Sequence, residues 1–273
     1  MADAGSGRRL GWIGAGAIGL PMLTRLVRAG HPVAAFDLDA ARSELARQAG
    51  AELVDSPMAV ASVSDAVFLC LPSDRAVRDV VFGADGCVAG GMRGKLLIDA
   101  SSIDPELTRE LSAQLAREAA GRWVDAPVTG GVRGATDGTL VAFVGGALDD
   151  VAAARVWIAC FAPRIVHLGP VGSGQWAKLC NQAIICGTIA LWSEALALAR
   201  AGDIDPIALV DALAGARADS AVREAWGPGL ATGGFVPARN RNLRKDIATV
   251  LARARQAGCD MPVLTRAAAL FED

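Results

Sequence analysis

Residues 10–19 read LGWIGAGAIG, an apolar run that breaks into Gly14-Ala15-Gly16-Ala17-Ile18-Gly19. Glycines spaced G-x-G-x-x-G after a strand and before a helix make a turn that receives a pyrophosphate. Gly14 permits the tight turn, Gly16 lets a phosphate approach the backbone, and Gly19 lets helix and strand pack closely. Ala15, Ala17 and Ile18 complete the turn, and the helix N-terminus supplies free N–H groups and a positive dipole end. About 20 residues on, Asp37 closes the next apolar run, VAAFD, where an acid can take the ribose hydroxyls. A carboxylate there repels a 2′-phosphate, and Leu38 follows where an NADP enzyme would often place arginine. NAD is therefore expected over NADP. The plainer alternative is that Asp37 only caps a helix beginning near Ala40.

Outward from this turn, the first 168 residues alternate short apolar runs with helical stretches. RLGWI (9–13), VAAF (33–36), AVFLC (66–70), KLLID (95–99), TLVAFVGG (139–146) and RIVHL (164–168) are bounded by Gly, Pro, Asp or Ser. Such runs suit strands buried on both faces of a parallel sheet with crossover helices. Gly30 and Gly121 stand where the helices AIGLPMLTRLVRAG and PELTRELSAQLAREAAG would end. After His167 the character changes, and everything past HLGPVGSG looks helical. The expected fold class is α/β: a Rossmann-type dinucleotide-binding domain over residues 1–170, then a smaller all-α substrate and oligomerisation domain over 171–273. A helix of about 30 residues, spanning ~45 Å, opens the second domain.

Composition removes several function classes. A net charge of −2, without a basic run, argues against a nucleic-acid partner. The N-terminal MADAGSGRRLGWIG has no apolar core of leader type, and the most apolar helix is interrupted by Asn181, Gln182, Ser193 and Glu194. A cytoplasmic protein, off the membrane, is expected. Six cysteines without a CxxC pair, and two histidines, argue against a metal site or a disulfide framework. The absence of tyrosine excludes a phenolic acid catalyst.

Two further stretches carry chemistry. GSGQWAKLCNQ (172–182) places Lys178 in a helix with no other charge before Glu194, which falls ~160° away around the axis. Asn181 and Gln182 share the lysine's face, as does Gln175 one turn earlier. Amide neighbours and apolar flanks would partly desolvate the ammonium group and bring its pKa towards a range useful for acid–base work. The plainer alternative is a lysine that snorkels to water from a helix start. DAPVTGGVRGATDGTLVAFVGG (125–146) sets Thr129, Gly130 and Gly131 on a loop, where a hydroxyl and successive glycine N–H groups can receive a carboxylate. A pyrophosphate turn, a carboxylate loop and a buried lysine together describe a hydride-transfer site.

Four blocks in order, IGAGAIGLPM, DASSIDP, DAPVTGGVRGATDGTL and GSGQWAKLCNQ, followed by LRKDI, resemble the β-hydroxyacid dehydrogenase family of the 6-phosphogluconate dehydrogenase superfamily. That family includes enzymes of 3-hydroxyisobutyrate dehydrogenase and tartronate semialdehyde reductase type. The resemblance covers nearly the whole chain. It implies that Lys178 protonates the nascent alkoxide as NADH delivers hydride, with a small 3-hydroxy acid and its semialdehyde as the reacting pair. It implies carboxylate binding by Thr129, Gly130 and Gly131, with Thr129 where serine is usual. Ser102, Leu71, Pro72 and Lys245 are implied beside the cofactor, and Asn181 and Gln182 beside the substrate. Gln182 departs from the usual second asparagine, and the chain ends at ALFED, short of the usual tail. A homodimer or homotetramer is expected. The competing readings are an imine reductase on the same scaffold, which typically lacks the lysine, and a non-catalytic NAD-binding module. A phosphogluconate-type decarboxylase would need a histidine near Lys178, where this chain has Asn181.

Overall fold

The computed structural model describes residues 7–272. The first six residues, part of the stretch expected to carry no leader, and Asp273, the last residue of ALFED, lie outside the described residues. Two compact units divide the chain, Met1–Lys178 and Leu179–Asp273.

In the first unit β1 (Leu10–Ile13), α1 (Gly19–Arg28), β2 (Val33–Phe36), α2 (Ala40–Gln48), β3 (Glu52–Leu53), α3 (Pro57–Val63), β4 (Ala66–Leu69), α4 (Asp74–Phe82), β5 (Leu96–Asp99), α5 (Pro105–Ala119) and β6 (Arg122–Asp125) alternate along the chain. They are followed by β7 (Val128–Thr129), α6 (Gly131–Asp137), β8 (Val141–Gly145), α7 (Leu148–Ile158) and β9 (Arg164–Gly169). The strand order is β3-β2-β1-β4-β5-β6-β8-β7, with β9 beside β8. Strands β3 to β6 pair in parallel, the doubly wound pattern expected from the apolar runs. The sheet is not parallel throughout: β8 runs antiparallel to both β6 and β7, and parallel to β9. All six expected strands form. β9, expected to be covered on both faces, is only partly buried.

Alternate residues of β1, β4, β5 and β6 feed two cores, one on each face of the sheet. Leu10, Trp12, Phe68 and Ile98 point to one face, and Ile13, Val67, Leu69 and Leu97 to the other. On the first face Trp12 stacks on Phe68 with centroids 5.3 Å apart, and Phe161 meets both rings edge-on. These aromatics lie beneath the glycine turn, and the Trp12 indole N–H donates to the Gly14 carbonyl at 2.9 Å. The core residue thus also fixes the turn above it.

Helix ends follow local chemistry. Gly30, just past the Ala29 cap of α1, takes a positive φ of 89°, as expected of a residue that ends a helix. At α5 the left-handed cap is Ala120, not Gly121. Gly121 is needed for space instead, since a Cβ there would press on the Leu115 side chain at 2.9 Å.

Helix α8 (Ser173–Ala201) opens at the end of the first unit and is long and apolar enough, by length and composition, to cross a membrane. Its first turn is hydrogen-bonded to the sheet of the first unit. Beyond Lys178 the second unit is helical: the rest of α8, then α9 (Pro206–Ala212), α10 (Ala221–Thr232), α11 (Arg241–Gln256) and α12 (Pro262–Ala267), with two short 3-10 turns. Arg200 on α8 donates to Ala231 O on α10 at 2.9 Å. Within the chain α8 leaves Ile184, Leu191 and Leu198 exposed at 70%, 61% and 76%.

Candidate active site

The glycine turn sits at the carboxyl ends of β1, β2 and β4, where doubly wound sheets receive ligands. Gly14 has φ +101°, and a Cβ there would strike the Cys70 carbonyl oxygen; a Cβ on Gly19 would strike Gly14 O. The protein's own packing therefore demands glycine at both positions. Gly16 differs, because its backbone is outside the left-handed region and the nearest atom to an added Cβ is Arg42 Nη1 at 3.5 Å. Gly16 leaves open ground above the helix start, which fits an approaching pyrophosphate. Ala15 is buried, Ala17 exposed and Ile18 half-buried. Ile18 caps α1 without a side-chain hydrogen bond, and the first turn of α1 contains no acid to compete for its N–H groups.

Asp37 reaches this turn directly, with Oδ2 accepting from the Ala15 N–H at 2.7 Å and Oδ1 from the Asp39 N–H at 2.9 Å. It does not cap α2, since Asp39 holds that position and accepts from the Ala41 N–H. Two carboxylate oxygens with about four lone-pair sites keep capacity for a ribose diol. Arg42, which the sequence reading passed over, stands between Gly16 and Asp39, 3.6 Å from the latter's carboxylate. A basic residue one turn into the helix after the acid was the available signal. Leu71 closes the far side of Gly14, its Cδ2 lying 3.1 Å from an added Cβ there. The Leu71 N–H donates to Ser101 Oγ at 2.9 Å, next to the half-buried Ser102, and Pro72 is exposed. The fingerprint, Asp37, Leu71 and Ser102 are thus assembled in one place.

The glycine loop expected to receive a carboxylate follows β6. Thr129, half-buried, ends β7, while Gly130 and Gly131 are exposed at φ +126° and +65°, a backbone path open chiefly to glycine. Arg25, from α1, ties the end of α6 to the turn after α7 by donating to Thr136 O at 2.9 Å and Cys160 O at 3.0 Å. Its guanidinium occupies the space a Cβ on Gly138 would need. No local signal marked Arg25, because its partners lie more than a hundred residues away.

Lys178, in the second turn of α8, is half-buried. Gln175, read as an amide neighbour for it, is fully buried and otherwise engaged: Nε2 donates to Ser101 O at 2.8 Å and Oε1 accepts from the Ile103 N–H at 3.3 Å. Asp125, at the end of β6, accepts from the N–H groups of Gly172 at 2.7 Å and Gln175 at 3.0 Å. Burial raises its carboxyl pKa, against the lowering pull of those two N–H groups. Its register neighbour on β5 is Asp99, also fully buried, which burial above all pushes up to about 7. Burial likewise takes the Cys70 thiol up to about 12, so it is no nucleophile.

In the second unit Gln182 and Lys245 meet at Asp246, and Asn181 joins them through Gln182. Asn181 Nδ2 donates to Gln182 Oε1 at 2.9 Å, and Gln182 Nε2 donates to Asp246 Oδ2 at 2.6 Å. The Lys245 ammonium lies 3.7 Å from Asp246 Oδ1. Gln182 is 6% exposed and reaches across to α11, which accounts for its longer side chain. Asp246 was visible in the sequence only as the partner in the Lys-Asp pair.

The sheet order, the three glycines and the acid beyond them define a dinucleotide-binding oxidoreductase of Rossmann type. Residues 9–169 match the family model described as the NAD binding domain of 6-phosphogluconate dehydrogenase. Residues 172–273 match the one described as NAD-binding of NADP-dependent 3-hydroxyisobutyrate dehydrogenase. The chain is 34% identical over 266 residues to 2-hydroxy-3-oxopropionate reductase of Escherichia coli K12, covering 96% of this chain and 90% of that protein. It is 36% identical over 197 residues to mitochondrial 3-hydroxyisobutyrate dehydrogenase of Mus musculus, covering 72% of this chain and 58% of that one. Among solved structures, Mycobacterium tuberculosis 3-hydroxyisobutyrate dehydrogenase with L-serine superposes with a TM-score of 0.85 at 28% identity, covering 97% and 92% of the two chains. The chain belongs to the β-hydroxyacid dehydrogenase family of NAD(P)-dependent oxidoreductases.

Proposed function

We propose that this chain interconverts a short 3-hydroxy acid and its semialdehyde, with Lys178 as the general acid and base. The observation that carries the reading is a half-buried lysine one turn beyond a helix start tied to the ends of β5 and β6. The dinucleotide, when bound, supplies or accepts the hydride at the carbinol carbon. Lys178 gives a proton to the carbonyl oxygen as alkoxide charge develops, and takes the hydroxyl proton in the reverse direction. Thr129 Oγ1 and the N–H groups of Gly130 and Gly131 hold the substrate carboxylate. Asn181 and Gln182 keep the substrate role, and Ser102, Leu71, Pro72 and Lys245 the cofactor role, that the family resemblance gives them. The link from Gln182 to Asp246 supports a part for Gln182 in orienting Asn181.

The substrate class is supported by what the relatives are named for or bound to. 2-Hydroxy-3-oxopropionate, 3-hydroxyisobutyrate and L-serine share a carboxylate and a C3 oxygen, and differ in what C2 carries. NAD is the cofactor this reading prefers, because the Asp37 carboxylate lies at the glycine turn, where it would accept from ribose hydroxyls and repel a 2′-phosphate. Arg42 is the feature that would favour NADP. The exposed Ile184, Leu191 and Leu198, seven residues apart along α8, support a homodimer or homotetramer through that stripe. Six free thiols support a reducing compartment, the cytoplasm. The test is initial-rate oxidation of glycerate, 3-hydroxyisobutyrate, L-serine and 3-hydroxypropionate with NAD and with NADP. Turnover of at least one is expected. Turnover of cyclic imines alone would move the assignment to an imine reductase, and tight NAD binding without turnover on either set would favour a non-catalytic module.

A further inference from the structure

We infer that Gln175 and Asp125 are positioning residues: they clamp the first turn of α8 to the ends of β5 and β6 and so set where Lys178 points. The inference rests on the catalytic role proposed for Lys178. Gln175 is 0% exposed, and both ends of its amide are used within the protein, so it acts on a substrate only through another group. Its two partners, Ser101 O and Ile103 N, bracket Ser102 on the loop after β5. Asp125 holds the backbone of the same turn at two points, Gly172 N and Gln175 N. Arg109 adds a third tie just upstream, donating from Nε to Val171 O at 3.3 Å.

The glycines of GSGQ make this clamp possible. Gly172 takes φ +92°, and a Cβ on Gly174 would strike Phe143 O and come within 2.8 Å of Asp125 Oδ2. The turn therefore lies directly on the sheet, within hydrogen-bond reach of both side chains. Lys178 follows Gln175 by three residues on the same helical face, so any tilt or rotation of this turn is passed to the lysine. Burying a carboxylate and an amide is costly, and apolar packing would anchor a long helix at least as well. What the polar clamp adds is direction. Its contacts fix the rotation of the helix as well as its distance from the sheet, and a misplacement of about 1 Å in a reacting group can cost about 100-fold in rate.

The test uses Gln175→Met, similar in length but unable to make either hydrogen bond, and Gln175→Glu, which keeps an acceptor for the Ile103 N–H. Each is measured alone and in a Lys178→Ala background, on the best substrate of the panel. The expected result is a fall in kcat of about 10- to 100-fold for Gln175→Met, with KM for the dinucleotide within about twofold. Gln175→Glu should recover part of that loss. In the Lys178→Ala background Gln175→Met should change the residual rate less than about twofold, because the group it positions is gone. Wild-type kcat in folded Gln175→Met, beside an inactive Lys178→Ala, overturns the clamp alone. An equal further loss in the Lys178→Ala background also overturns it. Full activity of Lys178→Ala removes the catalytic reading and the clamp with it. Should Gln175→Met fail to fold, amide exchange in the wild-type protein decides. The Gly172 and Gln175 amides should exchange as slowly as those of β5, and exchange about 10-fold faster than β5 overturns the inference.

Discussion

Replacing Asp99 by asparagine should make the protein more stable at neutral pH than the wild type, and the gain should vanish in acid. Asp99 closes β5 with its side chain fully buried. Oδ1 accepts from the Ser101 N–H at 2.9 Å, whereas Oδ2 has no hydrogen-bond partner among the described residues. Burial first, and then the charges of Asp125 and Asp74, carry its pKa from 3.8 to about 7, against the lowering effect of Ser101. The folded chain thus holds a proton that the unfolded chain has released. This group's favourable contribution is complete below about pH 4 and is lost as pH rises towards about 7. One proton is worth about 1.4 kcal/mol per pH unit in that window, so the loss between pH 5.5 and 7 is about 2 kcal/mol. Asparagine keeps the acceptor for Ser101 and has nothing to ionise. Urea unfolding followed by tryptophan fluorescence, at half-unit steps from pH 5 to 8.5, gives the difference between variant and wild type. That difference should rise by about 2 kcal/mol in favour of Asp99→Asn up to pH 7 and then level off. A difference independent of pH, or one that falls, would refute the reasoning.

Four further expectations concern the cofactor turn and the long helix. Gly16→Ala should raise the dinucleotide Kd at least about 10-fold with little change in thermal stability, because its Cβ makes only ordinary contact with Arg42 Nη1 at 3.5 Å and would crowd a pyrophosphate at the turn. Gly19→Ala should lower Tm instead, since its Cβ strikes Gly14 O. Asp37→Ser should shift the NAD to NADP ratio of kcat/KM towards NADP; an unchanged ratio would remove the ribose role. Leu191→Glu should convert the proposed homodimer or homotetramer to monomers in sedimentation, and an unchanged mass would exclude the α8 stripe as its interface.

Much of this was legible in residues 10–19 alone, because each of the three glycines answers a different local demand and the alternating runs around them have few other solutions. The direction of β8 was not legible, since a run of apolar residues is the same read either way. Two-residue strands such as β3 and β7 carry no period at all. Gly121 was read as a helix end from its place after Ala120, but a left-handed cap and a tight packing site produce the same glycine in a sequence. Gln175 shows the other limit. Its spacing from Lys178 suggested a neighbour on the helix, whereas its hydrogen-bond partners lie 72 and 74 residues away in sequence. The departure at Gln182 became intelligible only when Asp246 was found at its other end. The exposed stripe of α8 was hidden by a composition that suits a buried helix equally well.

The most direct measurement is single-turnover hydride transfer by Lys178→Ala, with dinucleotide binding checked by titration. The account predicts a Kd within about twofold of wild type and a rate about 100- to 10,000-fold lower, the loss expected when a general acid and base is removed. Hydride transfer at the wild-type rate with the ammonium group absent would contradict it.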